Sequence, residues 1–578
     1  MAMAGGEPTL MPVSAMCTPA FVARVVRSRW FVVFASMVVM AASGSTYIFA
    51  LYSKELRSTL GYNQQTLNTL SFFKDLGTNV GVVSGLVQQV APTWAVLLIG
   101  AAMNLAGYLM VYLALDRRTA APVWLMCVYI CVGANALTFS NTGALVSCVK
   151  NFPESRGIVI GLLKGFSLVL LIAWLPAAVY IFFVHTIRVL PYRRRGDGEE
   201  LDSKPFFCFL YISIALAAYL LVMIVVQKQV RGFSHAAYVV GAAALLLILF
   251  LPLAVVVKEE RKNASHLERA LQQPPSIAVE HPTPTKEADG EPATSCVGRM
   301  FRPPELGEDY SIMQALVSVE MAVLFVVSVF GIGGTLTAID NMAQIGQSLG
   351  YPAKSINTFV SLISIWNYAG RVGAGYLSEM LLARYRFPRP LALTAVLLAS
   401  CVGHLLIAFG VPGSLYAASV IIGFCFGAQW PLLFAIISEV FGLKYYSTLF
   451  NFGSAASPIG AYVLNVRVAG RMYDAEAARQ HGGVAVAGDK ICKGVMCFKR
   501  SFLIITGVTF AGALVSLLLV WRTRSFYKGD IYARFKVAPA TAATSAAAAA
   551  AEASSPEVEE KKGTEKNKKD GVHEHVSN

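Results

Sequence analysis

Residues 236–257 read AAYVVGAAALLLILFLPLAVVV, twenty-two residues in a row without a charge. The hydrocarbon core of a bilayer is spanned by about 20 mostly apolar residues in α-helix, so this stretch predicts a membrane span. Working outward, six more candidates fall in the first half of the chain: Trp30–Tyr52, Thr66–Gln89, Trp94–Leu115, Val123–Cys148, Gly157–Val184 and Phe206–Val226. Six follow a polar gap: Ser311–Ala338, Ile356–Gly375, Leu391–Phe409, Leu415–Ser438, Tyr445–Val463 and Phe502–Trp521. The expected fold is all-α and polytopic, with thirteen apparent spans.

Composition agrees. Of 578 residues only 14% are charged, and 56% are hydrophobic. A soluble protein carries about 25% charged residues on a surface it must keep wet. A chain this poor in charge needs lipid as its solvent. The net charge of +14 falls in short clusters between apolar blocks: Arg24, Arg27 and Arg29; Arg193–Arg195; Arg384, Arg386 and Arg389; Arg522, Arg524 and Lys528. Cytoplasmic loops look like this, whereas a nucleic-acid surface gathers its charge on one polar domain. No nucleic-acid partner is expected.

No G-x-x-x-x-G-K-[ST], H-E-x-x-H or G-x-S-x-G sequence occurs, so neither ATP hydrolysis nor the common membrane-enzyme chemistries are expected, and no cofactor is implied. Met1–Ala20 lacks the basic start of a cleavable leader. Most cysteines lie inside apolar blocks. Cys492 and Cys497 sit in a polar loop without metal-ligand spacing, and can pair as a disulfide if that loop faces an oxidising compartment.

The chain divides into a cytosolic N-terminal tail (1–29), a first transmembrane half (30–257), a charged, Pro-rich disordered linker (258–310), a second half (311–526) and a disordered cytosolic tail (527–578). Orientation exposes a fault. With the basic N-terminus inside, Lys150–Arg156 falls inside, but one further span would put Arg188 and Arg193–Arg195 outside, against the positive-inside rule. The six later spans obey it. The fault lies in Gly157–Val184, whose 28 residues are too many for one span and too few for two.

The halves echo each other. GANALTFSNTGALVSCVKNF (133–152) runs into PESRGIVIGLLKG, and GFCFGAQWPLLFAIISEVF (423–441) runs into GLKYYSTLFNFG. Repeated halves suit a carrier that rocks one bundle against the other about a midplane site.

Ionisable residues inside spans cost about 2.5–3.5 kcal/mol at the helix centre and are functional candidates by default. Asp75 is a candidate proton carrier and Lys74 a partner for an anionic solute. As sequence neighbours they point apart and are not expected to neutralise each other. Glu320 joins them. Lys164 lies near a cytoplasmic loop and is expected to snorkel outward. Tyr47, Asn79, Asn135, Asn141, Trp366, Asn367, Gln429 and Trp430 sit at depths suited to a cavity wall, where amides orient a solute and indoles enclose it. His404 is read as a packed core histidine.

The sharpest local signal is GRVGAGYLSE (370–379), followed by Arg384 and Arg386. Gly370 and Gly375 permit close helix approach. Arg371, Ser378, Glu379 and Arg384 are the expected charge latch of one conformation. The stretch resembles the G-x-L-[AS]-[DE] loop signature of the major facilitator superfamily.

A wider resemblance rests on YIFALY (47–52), LNTLSFFKDLG (67–77), RGIVIGLLKG (156–165), WLPAA (174–178), GGTLTAIDN (333–341) and SIWN (364–367). Together, over about Trp30 to Phe526, these resemble the plant nodulin-like, nuclear-fusion-defective type of major facilitator protein, similar to oxalate/formate and monocarboxylate carriers. The resemblance implies a two-bundle fold with fourteen spans, and a few tens of residues after Phe166 that this chain lacks. It implies a multi-pass protein of the plasma membrane or an internal membrane, with lipid as solvent and cytosolic termini. The expected function is secondary-active or facilitative transport of a small anionic organic solute, with protons as candidate coupling ions. The alternative is a non-transporting sensor or scaffold whose linker or tail recruits cytosolic proteins.

Overall fold

The computed structural model describes residues 18–42, 56, 59–60, 62, 64–119, 122–169, 186–190, 203–229, 234–272, 304–480 and 492–532. The first half comprises α1 (Pro19–Arg27), α2 (Arg29–Ala42), α3 (Gln64–Asn79), α4 (Val82–Val90), α5 (Thr93–Leu115), α6 (Val123–Ser140), α7 (Val146–Asn151), α8 (Arg156–Val169), α9 (Ser203–Gln229) and α10 (His235–Gln272). The second comprises α11 (Ile312–Val317), α12 (Val319–Ser348), α13 (Ala353–Tyr385), α14 (Arg389–Phe409), α15 (Ser414–Val440), α16 (Tyr446–Ser454), α17 (Ala456–Gly460), α18 (Arg471–Gln480) and α19 (Met496–Lys528). Wide π-helical turns, Asn141–Leu145 and Ala461–Gly470, join α6 to α7 and α17 to α18. No strand occurs among the described residues.

Among the described residues, seven helical stretches are long and apolar enough to cross a bilayer, including the α6–α7 rod and α10, α12, α14, α15 and α19. The expected thirteen are not recovered as thirteen such helices. α13 is long enough but carries Asn357, Ser361, Asn367, Arg371 and Glu379 along its length, and it packs against α8 of the first half and α15 of the second. Thr66–Gln89 is broken at Val80–Gly81. There Asn135 Nδ2 donates to Gly77 O (2.9 Å) and Val80 O (2.8 Å), satisfying carbonyls that the break releases.

One end of the bundle gathers the polypeptide around the linker. Trp30 packs on Phe152 (4.8 Å between rings) and Phe206 (5.1 Å), Arg188 Nη2 donates to Arg27 O, and Glu260 of α10 lies within electrostatic reach of Arg24 and Arg29. Asn151 grips the 186–190 segment from both sides, donating to Arg188 O (2.9 Å) and accepting from Leu190 N (2.8 Å). This end is called the linker end below.

These contacts bear on the parity fault. α8 leaves the linker end at Arg156, and residues 186–190 are back at it. Residues 170–185, which hold the second half of Gly157–Val184, lie outside the described residues. Arg188 shares an end with Arg27 and the linker, as its charge requires.

The linker is shorter than expected at both margins. α10 runs on to Gln272, since KEERKN (258–263) contains good helix formers and no proline, and Lys262 pairs with Glu259 at 2.7 Å. Residues 304–310 dock on the loop after α15, with Gly307 N donating to Val440 O and Tyr310 N to Phe441 O. Tyr47, most of the expected linker and the tail beyond Tyr532 lie outside the described residues.

Candidate functional site

At the linker end the two halves meet backbone to backbone. α8 presents Gly157, Gly161 and Gly165 on one stripe, four residues apart, to α13. A Cβ on Gly375 would stand 2.5 Å from Gly157 O and 2.9 Å from Gly161 Cα, and one on Gly161 would stand 2.7 Å from Arg371 O. No side chain fits there. A second crossing joins α4 to α16: a Cβ on Gly85 would meet Ser447 O at 2.7 Å, Asn451 Nδ2 donates to Thr142 Oγ1 at 2.8 Å, and Gln89 donates to Thr448.

A buried ion lattice sits on the first crossing. Arg389 has no exposed side-chain surface. It donates to Glu379 Oε2 (2.7 Å), Glu439 Oε1 (2.7 Å) and Ser378 Oγ (2.5 Å). From the other half, Gly157 N donates to the same Glu379 oxygen at 2.8 Å, and Arg156 Nη1 donates to Ser438 O at 2.6 Å. Tyr527 donates to Glu439 Oε2 at 2.8 Å. Ser378, Glu379 and Gly375 thus fall in or beside the lattice, whereas Gly370 packs on α15, where a Cβ would collide with Phe424 O.

The two expected cations lie outside it as well. Arg384 is exposed and stacks over Tyr385. The cation at the lattice is Arg389, because α13 runs on past Glu379, Arg386 turns the chain through a left-handed conformation (φ 54°), and the first residue of α14 lands beside Glu379. Arg371 points away from Glu379, donating to Asn367 Oδ1 (3.1 Å) and to Lys164 O (3.2 Å) of the opposite half.

That bond leads to a second group. Lys164 does not snorkel. It is buried, with its ammonium 5.1 to 5.8 Å from the ring centroids of Phe434, Phe450 and Trp430. The physical reason is the stripe beside it: Gly161 and Gly165 dock on α13 and turn Lys164 toward the second half. Trp430 is buried too, and its indole Nε1 has no hydrogen-bond partner among the described residues.

A third group spans the halves. Lys74 and Asp75 do neutralise each other (2.8 Å), because a four-carbon stem folds back far enough for neighbours to meet. Asp340 of α12, exposed and within electrostatic reach of both, accepts from Asn465 Nδ2 at 3.0 Å, while Asn341 Nδ2 donates to Asn465 Oδ1 at 2.8 Å. Asp340, within the GGTLTAIDN motif, is not among the residues that the sequence singles out.

The remaining candidates are scattered. Asn79 bonds to Asp75 O within its own helix, and Gln429 to Cys425 O and Thr335. Trp366 is partly exposed against Phe424. Asn141 occupies the π-helical turn of α6–α7, buried. Glu320 lies in the first turn of α12 and pairs with Arg522 at 2.7 Å, so it belongs to the linker end rather than the midplane. Cys492 and Cys497 are joined as a disulfide. His404 packs against Phe502, buried.

Comparison with known proteins gives the following matches. The nodulin-like family model matches residues 29–167 and 166–257, in two blocks that meet at Phe166–Ser167, the point where a loss was expected. The NFD4 C-terminal domain model matches residues 306–529. Protein NUCLEAR FUSION DEFECTIVE 4 of Arabidopsis thaliana is 23% identical over 542 residues, covering 86% of this chain and 89% of that protein. The probable transporter MCH1 of Yarrowia lipolytica is 25% identical over 234 residues, 38% of this chain and 47% of its own. Among solved structures, the Escherichia coli fucose:proton symporter FucP aligns with a TM-score of 0.45 at 12% identity, covering 84% of this chain and 98% of that one. The proton:xylose symporter XylE aligns with a TM-score of 0.47 at 11% identity, covering 86% and 96%.

Proposed function

The chain pairs a nodulin-like domain with an NFD4 C-terminal domain, and from that premise we propose a major-facilitator-type carrier of a small anionic organic solute, working by alternating access. The observation that carries this reading is the meeting of Lys164 and Arg371, buried cations from opposite halves, beside an indole N–H that lacks an acceptor among the described residues. A guanidinium fork, an ammonium and an N–H walled by aromatic rings suit a carboxylate. A solute held there touches both halves, so its occupancy biases which end opens. The Gly stripe and the Arg389 lattice then hold the linker end closed in this conformation.

Asp340 within electrostatic reach of the Lys74–Asp75 pair supports proton coupling, since a carboxylate beside an ion pair of the other half can be loaded on one side and unloaded on the other. The basic clusters at the linker end support a cytosolic location for that end and for both termini. The similarity to the probable transporter MCH1 supports transport in general. The shortened 157–184 segment supports a second reading, a non-transporting sensor that engages cytosolic proteins.

The test is solute binding read at Trp430. The chain has seven tryptophans, so the signal is the difference between the protein and its Trp430→Phe variant as mono- and dicarboxylates are added. A saturable change is expected. Lys164→Gln and Arg371→Gln should each weaken binding about tenfold or more, since hydrogen bonds to charged groups contribute about 1.5–3 kcal/mol. Unaltered affinity in both variants would remove the reading.

A further inference from the structure

The latch has a member from outside both bundles. Beyond α19 the chain turns at Gly529, and Arg386 holds the turn by donating to Gly529 O (3.0 Å) and pairing with Asp530 (3.5 Å). Tyr532 is thereby returned to the ion lattice. Its Oη lies 2.7 Å from Glu379 Oε1 and 3.3 Å from Glu439 Oε1, and accepts from Arg389 Nη2 at 3.4 Å. Its single proton serves Glu379. From the other half, the Arg156 guanidinium stacks over the Tyr532 ring, 5.9 Å from its centroid.

We propose that Tyr532 is a positioning residue of the gate, by which the segment after α19 holds the linker end shut. Glu379 has two oxygens with separate tasks. Oε2 accepts from Arg389 and, across the halves, from Gly157 N; Oε1 is taken by Tyr532. With Oε1 tied, the carboxylate cannot rotate away from Gly157. With Oε1 released, it can turn and the inter-half bond loosens. Burial, then the neighbouring carboxylates, push the Tyr532 phenol well above its ordinary range, so it remains a donor at every physiological pH.

The returning linker reaches the same place. Gly307 and Glu308 line a pocket of about 280 Å³ with Arg156, Glu439, Gly529 and Ile531. The two segments outside the bundles therefore meet at the closed gate, and whatever moves the 529–532 segment also acts on the gate. This inference rests on the alternating-access reading, but its test reads gate closure rather than transport.

Gln89 and Thr448 touch across the second crossing. The paired variant Gln89→Cys/Thr448→Cys, in the full chain in liposomes, is treated with a short thiol-bridging reagent, single-cysteine variants serving as controls. Rapid bridging is expected. Adding Tyr532→Phe keeps the ring over Arg156 and removes only the hydroxyl; it should slow bridging about tenfold, and Tyr532→Ala should slow it further. Equal bridging in all three overturns the role of Tyr532 while leaving the closed gate intact. No bridging in the starting pair overturns the closed gate and this inference with it.

Discussion

Replacing Arg389 with alanine is expected to destabilise the protein by about 3–5 kcal/mol, the usual cost of removing one partner from a buried ion group, and to abolish solute movement. Glu379 and Glu439 would be left as two buried carboxylates without their guanidinium partner, held by the Tyr527 and Tyr532 hydroxyls and the Gly157 amide. Arg389→Lys should fail almost as badly. The native guanidinium reaches Glu379, Glu439 and Ser378 from three different nitrogens at 2.5–2.7 Å, and an ammonium cannot reproduce that fork. Thermal unfolding in detergent, with uptake in liposomes, measures both effects. Arg384→Ala is the control: Arg384 is exposed and outside the lattice, so stability should change by less than about 0.5 kcal/mol.

The second large effect is expected from Gly375→Val. Its first added carbon would lie 2.5 Å from Gly157 O and 2.9 Å from Gly161 Cα, and both obstacles are backbone. Neither can rotate aside, so α8 and α13 must part. Overpacking costs about 1–3 kcal/mol in a core that can adjust. Here the open linker end offers a way to escape that cost, so the expected consequence is conformational. The variant should fold, should fail to bridge between positions 89 and 448, and should retain solute access from the other end. If it bridges like the parent, the glycine crossing does not govern closure.

Much of this was legible from hydropathy and small-residue spacing. A charge-free run such as 236–257 has one physical solution, and GRVGAGYLSE announced a close helix crossing with an acid at its end. The partner of that acid was not legible, because three arginines follow it and a left-handed turn at Arg386, which no hydropathy pattern encodes, selects the third. Lys164 was misread for a different reason. Snorkelling assumes a lipid-facing helix, whereas Gly157, Gly161 and Gly165 at four-residue spacing carried the opposite message. Lys74 and Asp75 were separated by a rule about helix faces that neglects the reach of a lysine stem. Asp340 was hidden by position: its importance comes from a helix of the other half, more than two hundred residues away.

The end at which residues 186–190 lie was legible in charge. Loop charge alone required the Arg188 segment to share an end with the linker, and Asn151 ties it there.

Solute movement is the decisive property. The direct measurement is uptake of radiolabelled mono- and dicarboxylates into liposomes holding the purified full-length protein, with and without a pH gradient, beside a nodulin-like relative that has the additional residues after Phe166. Saturable uptake of at least one carboxylate is expected, lost in Lys164→Gln and in Arg389→Ala. No uptake by this protein while the relative transports under the same conditions would contradict it, and would leave the non-transporting sensor as the better description.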